Sequence, residues 1–253
     1  WRRGRLWARR CPNLPGRREQ ALRKLGLIGG MSWVSTADYY ETINRLIQKR
    51  VSPRASAPLL IESLDFRELS GLQSEQDWDR AAQVLIESAR RLESAGAGAL
   101  LICANSMHRV YDRVQAAIGI DIIHIAECVG RRMEAQGVTS AALIGTRNVM
   151  TESFYRQRLI AHGVDLLPPD MDYVEQVDAI IYDELMLGRR TRDSERALKT
   201  IITRKEQDGA KAIVLACTEL DMIVDVDANV LPIFDSAHIH CEAAVDWILA
   251  EGT

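Results

Sequence analysis

AGALLICANS, residues 97–106, and AKAIVLACTE, residues 210–219, decide how this chain is organised. Each is an apolar run that follows a glycine (Gly96, Gly209) and ends in a short polar cluster. Short apolar runs bounded by turn signals read as buried strands of a parallel sheet, covered on both faces. Laid over one another, the two stretches place Gly96 on Gly209 and Asn105 on Thr218, each pair 113 residues apart. Their cysteines do not coincide: Ala104 falls opposite Cys217, and Cys103 sits one place early.

Working outward, Leu27-Ile28-Gly29 recurs as Leu143-Ile144-Gly145, 116 residues later. Helical apolar spacing marks 35–49 (Tyr39, Ile43, Leu46, Ile47) and 77–95 (Ala81, Leu85, Ala89, Leu92). Further helix patterns cover 107–117, 126–136, 151–162, 173–187, 191–208 and 238–249, with strands at 58–66, 120–125, 164–169 and 230–235. The alternation predicts an α/β protein of two pseudo-symmetric, doubly wound lobes with mainly parallel sheets and a cleft between them. Lobe 1 is placed at 25–130, rejoined by the C-terminal helix 238–250, and lobe 2 at 131–237. One extended Rossmann-type sheet with chance strand resemblances is the alternative.

The chain has 253 residues, 47% of them apolar and 26% charged, an ordinary globular composition. No run approaches the roughly 18 apolar residues of a membrane span. The first 24 residues hold nine basic residues and one acid, Glu19. The remainder therefore carries 23 basic and 34 acidic residues, a net charge of −11 against −3 for the whole. The leader reads as a disordered extension unrelated to function, and the acidic body gives no support to nucleic-acid binding. Five widely spaced cysteines without a CxxC pair point to reduced thiols, a cytoplasmic setting and no metal site.

Ligands of parallel α/β sheets bind beyond the carboxyl ends of strands. Four such ends carry glycine or polar clusters: Gly29-Gly30-Met31-Ser32, Asn105-Ser106, Gly145-Thr146-Arg147 and Cys217-Thr218-Glu219. Gly29-Gly30 reads foremost as a tight turn. No Walker A, GxGxxG, HExxH or GxSxG motif occurs. Cys217 is the leading candidate for chemistry. A helix N-terminus beside it would lower its pKa, whereas Glu219 would raise it; a small buried apolar cysteine is the competing reading. Strand alternation turns Cys103 into the core if Ala104 faces the cleft. Cys128 and Cys241 fall on helices. His108 reads as a packing residue, and His240, just after Asp235-Ser236, as a candidate behind the site. His124 and His238 have no distinguishing context.

LGLIGGMSWVSTADYY, LICANSMHRV, LIGTRNVM and LACTEL together resemble, in order and spacing, the signature segments of the aspartate/glutamate racemase family. The similarity spans 25–250 and is nearest to the branch of broad-specificity or acidic amino-acid racemases. It implies two α/β lobes, no pyridoxal phosphate or other cofactor, a homodimer, and a small amino acid or dicarboxylate as the bound partner. It also implies one thiol from each lobe flanking the substrate Cα. By that resemblance Cys217 is catalytic, and Met31, Ser32, Gln73, Asn105, Ser106, Thr146, Thr218 and Glu219 bind substrate. Arg67 and Arg147 are candidates by location for an acidic side chain.

The first catalytic cysteine of the family directly precedes its Asn-Thr pair; here that place is Ala104, which carries no proton. The expectation is therefore asymmetric or slow racemisation of aspartate or glutamate, with Ser106 or a water in place of the missing thiol. A one-cysteine enzyme resembling arylmalonate decarboxylase, and a catalytically silent binder of an acidic metabolite, are the alternatives.

Overall fold

The computed structural model describes residues 21–251 except Ser70, Gln73, Val226 and Asp227. Of the 24-residue leader, 1–20 lie outside the described residues. Its last residues are tied to the body: the Arg23 N–H donates to Ile248 O and its guanidinium lies 3.7 Å from the Trp247 ring centroid.

In chain order the elements of the first half are β1 (Leu25–Gly29), α1 (Trp33–Arg50), β2 (Leu59–Ser63), α2 (Glu75–Ser94), β3 (Ala99–Ile102), α3 (Tyr111–Gln115), β4 (Asp121–Ile122) and α4 (Ile125–Ala135). Those of the second are β5 (Ser140–Gly145), α5 (Arg147–Thr151), α6 (Ser153–Ala161), β6 (Asp165–Leu166), α7 (Met171–Asp183), α8 (Arg192–Gln207), β7 (Ile213–Ala216), β8 (Ile233–Asp235) and α9 (Ser236–Leu249). They form two four-stranded parallel sheets, ordered β2-β1-β3-β4 and β6-β5-β7-β8. The same order in both lobes shows that the repeat is architectural, and the single-sheet alternative fails.

The central strands β1, β3 and β7 are buried at every residue, as sheets covered on both faces require. Alternation sorts their side chains. Leu100, Ile102 and Ala104 join the core under α2, whereas Leu101 and Cys103 join the core of Tyr39, Ile43, Cys241 and Val245 between α1 and α9. In lobe 2, Ile213, Leu215 and Cys217 share one face and Val214 and Ala216 the other. The register of 113 residues thus holds in three dimensions, so Ala104 matches Cys217 and Cys103 matches Ala216.

Helix α2 starts with a full capping box between Ser74 and Asp77, and the expected stripe of Ala81, Leu85, Ala89 and Leu92 is buried. Gly30 has φ +85, and a Cβ there would strike the Leu64 backbone, so the turn after β1 needs glycine. The helix expected over 107–117 is instead a 3₁₀ turn at Ser106–Val110 followed by the short α3. Among the described residues no helix is long and apolar enough to cross a membrane.

Candidate active site

In a sheet ordered 2-1-3-4, successive connections leave β1 and β3 in opposite directions. The crevice beyond their carboxyl ends is the expected ligand site. The second sheet repeats this at β5 and β7. The two crevices meet in a cavity of about 530 Å³. Met31, Ala104, Asn105 and Ser106 line it from lobe 1, and Thr146, Arg147, Cys217, Thr218 and Glu219 from lobe 2. Apolar walls come from Phe66, Leu69, Leu72, Trp78 and Met186.

Two expected contacts are not brought to the cavity. The Ser32 hydroxyl caps α1, accepting from the Val34 N–H at 3.2 Å, and the residue is absent from the lining. Arg67 is exposed and paired with Asp65, also off the lining. His240 is fully buried behind the site: its Nε2 is 2.8 Å from Ile123 O and its Nδ1 2.9 Å from the Tyr39 hydroxyl. The Nε2–H therefore donates to the carbonyl, and Nδ1 accepts from Tyr39. Gln73 lies outside the described residues.

Cys217 is 6% exposed, and its thiol donates to Glu219 Oε2 at 3.1 Å. Burial, and next the Glu219 carboxylate, push the thiol well above the ordinary cysteine range. The helix N-terminus expected to oppose this shift is missing, because only a single 3₁₀ turn, Leu220–Met222, follows β7. The same carboxylate accepts from the Thr218 hydroxyl at 2.8 Å and from the Ser35 hydroxyl of α1 at 2.6 Å. Asn105 Nδ2 donates to Ser236 Oγ at 3.1 Å. Asn105 Oδ1 and Thr146 Oγ1 are buried without a protein partner, so two lining residues hold hydrogen-bonding capacity that a bound polar group can use.

Charge in the lining is mixed. Arg109 bridges to Glu75 at 2.5 Å and across the lobes to Glu152 at 3.0 Å, with its guanidinium 4.4 Å from the Trp78 ring centroid. Arg147 pairs more loosely, 3.5 Å from Glu175, while its N–H donates to Asp178 at 2.8 Å. The Tyr182 phenol on α7 is pushed up to about 12, by burial first and then by Asp178, Cys217 and Glu219. Arg109, Tyr182 and Ser35 are residues that the strand-end argument misses. Ser35 and Arg109 fall within two of the segments that carry the resemblance and Tyr182 within none of them, but only the folded chain brings Arg109 and Tyr182 to the cavity and Ser35 to Glu219.

A model of the Asp/Glu/hydantoin racemases matches residues 28–244. The chain belongs to that family. It is one of pyridoxal-phosphate-independent racemases. The broad-specificity amino-acid racemase RacX of Bacillus subtilis is 24% identical over 174 residues, covering 69% of this chain and 75% of its own. Among solved structures, a protein assigned to the Asp/Glu racemases from Yersinia pestis superposes with a TM-score of 0.83 at 39% identity, covering 90% of this chain and 100% of its own. An aspartate racemase homologue from Pyrococcus horikoshii gives 0.79 at 29% identity, with 90% and 100% covered. An arylmalonate decarboxylase variant, 15% identical with a TM-score of 0.52, shares the fold. The homologues are amino-acid racemases, an isomerase class. Among the described residues of this racemase-family site, no group of three or more His, Cys, Asp or Glu is set to hold a metal ion.

Proposed function

We propose that this protein is a cofactor-independent racemase that exchanges the proton on the α carbon of an amino acid, with Cys217 as acid/base on one face. The observation that carries this reading is the place of Cys217: at the end of β7, on the cavity, in register with Ala104 at the end of β3. An amino-acid Cα–H is a very weak acid. Its removal needs a desolvated base close to the proton, and donors that hold the charge developing on the carboxylate. Cys217 supplies the first, with Glu219 beside the sulfur to take the thiol proton. Asn105, Ser106, Thr146 and Thr218 supply the second, and Met31 packs against the ligand. Arg147, the more loosely paired of the two lining arginines, suits a second carboxylate, so aspartate and glutamate are the first substrates to test.

With Ala104 on the other face, reprotonation there falls to Ser106 or water, and inversion lags behind exchange. Ala104 also favours a second reading, a decarboxylase in which one thiol protonates the enediolate left after loss of carbon dioxide. In the racemase reading the enzyme is a cytoplasmic homodimer; sedimentation measures the assembly. The deciding experiment is a screen of free amino acids in deuterated water, followed by proton NMR. Loss of the Cα–H signal from aspartate or glutamate supports the racemase. Release of carbon dioxide from a malonate without amino-acid exchange supports the decarboxylase. Ligand-induced thermal stabilisation without either reaction leaves a silent binder.

A further inference from the structure

Ser35 stands in the first turn of α1, on lobe 1, and is 3% exposed. Its hydroxyl reaches lobe 2, where it lies 2.6 Å from Glu219 Oε1 and 2.6 Å from Thr218 Oγ1. It does not line the cavity, so substrate contact is not its part. Glu219 is itself 3% exposed, and its other oxygen, Oε2, accepts from the Cys217 thiol. Ser35 therefore holds one oxygen of a buried carboxylate whose other oxygen faces the sulfur.

We propose that Ser35 is a positioning residue for proton transfer at Cys217, acting across the lobes through Glu219. The proposal rests on Cys217 being the acid/base. Hydrogen counting supports it. With the carboxylate ionised, Ser35, Thr218 and Glu219 form a triangle of three short contacts that share two hydroxyl hydrogens. A proton passed from the Cys217 sulfur to the carboxylate supplies the third. The S–H bond breaks, an O–H bond forms on Glu219, and the thiolate left behind takes the Cα proton. The transfer moves charge between neighbouring atoms without adding any, so the desolvation that disfavours a lone buried thiolate is not met in full. Anchoring by Ser35 keeps Oε2 on the sulfur. The other acids facing this group are Asp221 on the following turn and Tyr182 on α7; Asp235 at the end of β8 and Asp38 on α1 act on Asp221, and Asp178 acts on Tyr182.

The test compares wild type, Ser35→Ala, Glu219→Gln and the double variant, by the pH profile of Cα deuterium exchange. Alkylation of Cys217 by iodoacetamide is followed in parallel by peptide mass spectrometry. Ser35→Ala is expected to lower kcat about tenfold with KM within about twofold, as for a misplaced catalytic group. It should also move the acid limb of the profile, and the onset of alkylation, to higher pH, because a lost donor disfavours the ionised carboxylate. On the Glu219→Gln background the second substitution should add nothing. A merely structural role would lower Tm without moving either limb. Ser35→Cys, near-isosteric with a weak donor, should give a smaller shift in the same direction if the alanine variant does not fold. Unmoved limbs, or an undiminished Ser35 effect on the Glu219→Gln background, overturn the proposal. Cys217→Ser with wild-type exchange would instead overturn the acid/base assignment, while the alkylation profile still reports on Ser35.

Discussion

Ala104→Cys restores a thiol to the lobe-1 strand end and asks whether that position faces the reacting carbon. Ala104 is 6% exposed and lines a cavity of about 530 Å³, so one sulfur atom has open volume to enter. The usual overpacking cost of about 1–3 kcal/mol is therefore not expected in full. Burial pushes the Cys217 thiol well up, and Cys128 to about 12; the introduced thiol should likewise stay protonated near neutrality. A protonated thiol is what the second face lacks, a donor to the carbanion. A placed general acid contributes about 10²–10⁴ in rate. At the lower bound, about 100-fold, it removes about 2.7 kcal/mol from the barrier to inversion. The assay follows exchange by NMR and inversion by chiral chromatography on the same sample in deuterated water. Inversion should rise towards the exchange rate, which itself changes little. Unchanged inversion in a folded variant would refute the placement of residue 104 across from Cys217.

Further outcomes follow from single groups. Burial, then the neighbouring Asp235, Asp38 and Glu219 carboxylates, raise the Asp221 carboxyl to about 7. A folded-state pKa above the unfolded value of about 3.9 gives stability that is full below about pH 4 and lost as pH rises through about 7. Asp221→Asn should therefore raise Tm at about pH 8, with the gap to wild type closing towards about pH 4; a gap independent of pH contradicts this. Tyr39→Phe removes the donor to His240 Nδ1 and leaves a buried ring nitrogen unpaired, which should cost about 1–3 kcal/mol in urea unfolding. Exchange per folded molecule should not change, and a fall in kcat would return His240 to the chemistry. Arg147→Ala should raise KM for aspartate and glutamate about fivefold, the effect of roughly 1 kcal/mol from a partly exposed ion pair. Neutral amino acids should be unaffected; equal effects on both would remove Arg147 from substrate recognition.

Strand positions were legible because a doubly covered parallel strand must be apolar throughout, and the runs Ala99–Ile102 and Ile213–Ala216 are. Their common offset carries the lobe symmetry, and period-two alternation turns Cys103 into the core once Ala104 faces the cleft. Local rules failed where tertiary context decided. Ser32 follows the Gly29-Gly30 turn, yet its hydroxyl caps α1 and the residue is off the cavity lining. The polar cluster after β7 reads as a helix start but makes one 3₁₀ turn, so no helix N-terminus stands beside Cys217, and the Glu219 N–H that lowers its pKa is outweighed by burial and the Glu219 carboxylate. Ser35 sits 183 residues from Thr218, and no spacing rule links them.

The central claim is that Cys217 moves the proton at the α carbon of a bound amino acid. Cα deuterium uptake by wild type and Cys217→Ser, compared at matched folded concentration, addresses it most directly. Wild type should exchange faster than it inverts, and the serine variant should lose at least about 100-fold in exchange while its Tm stays close to wild type. Exchange at the wild-type rate in the serine variant would contradict the account.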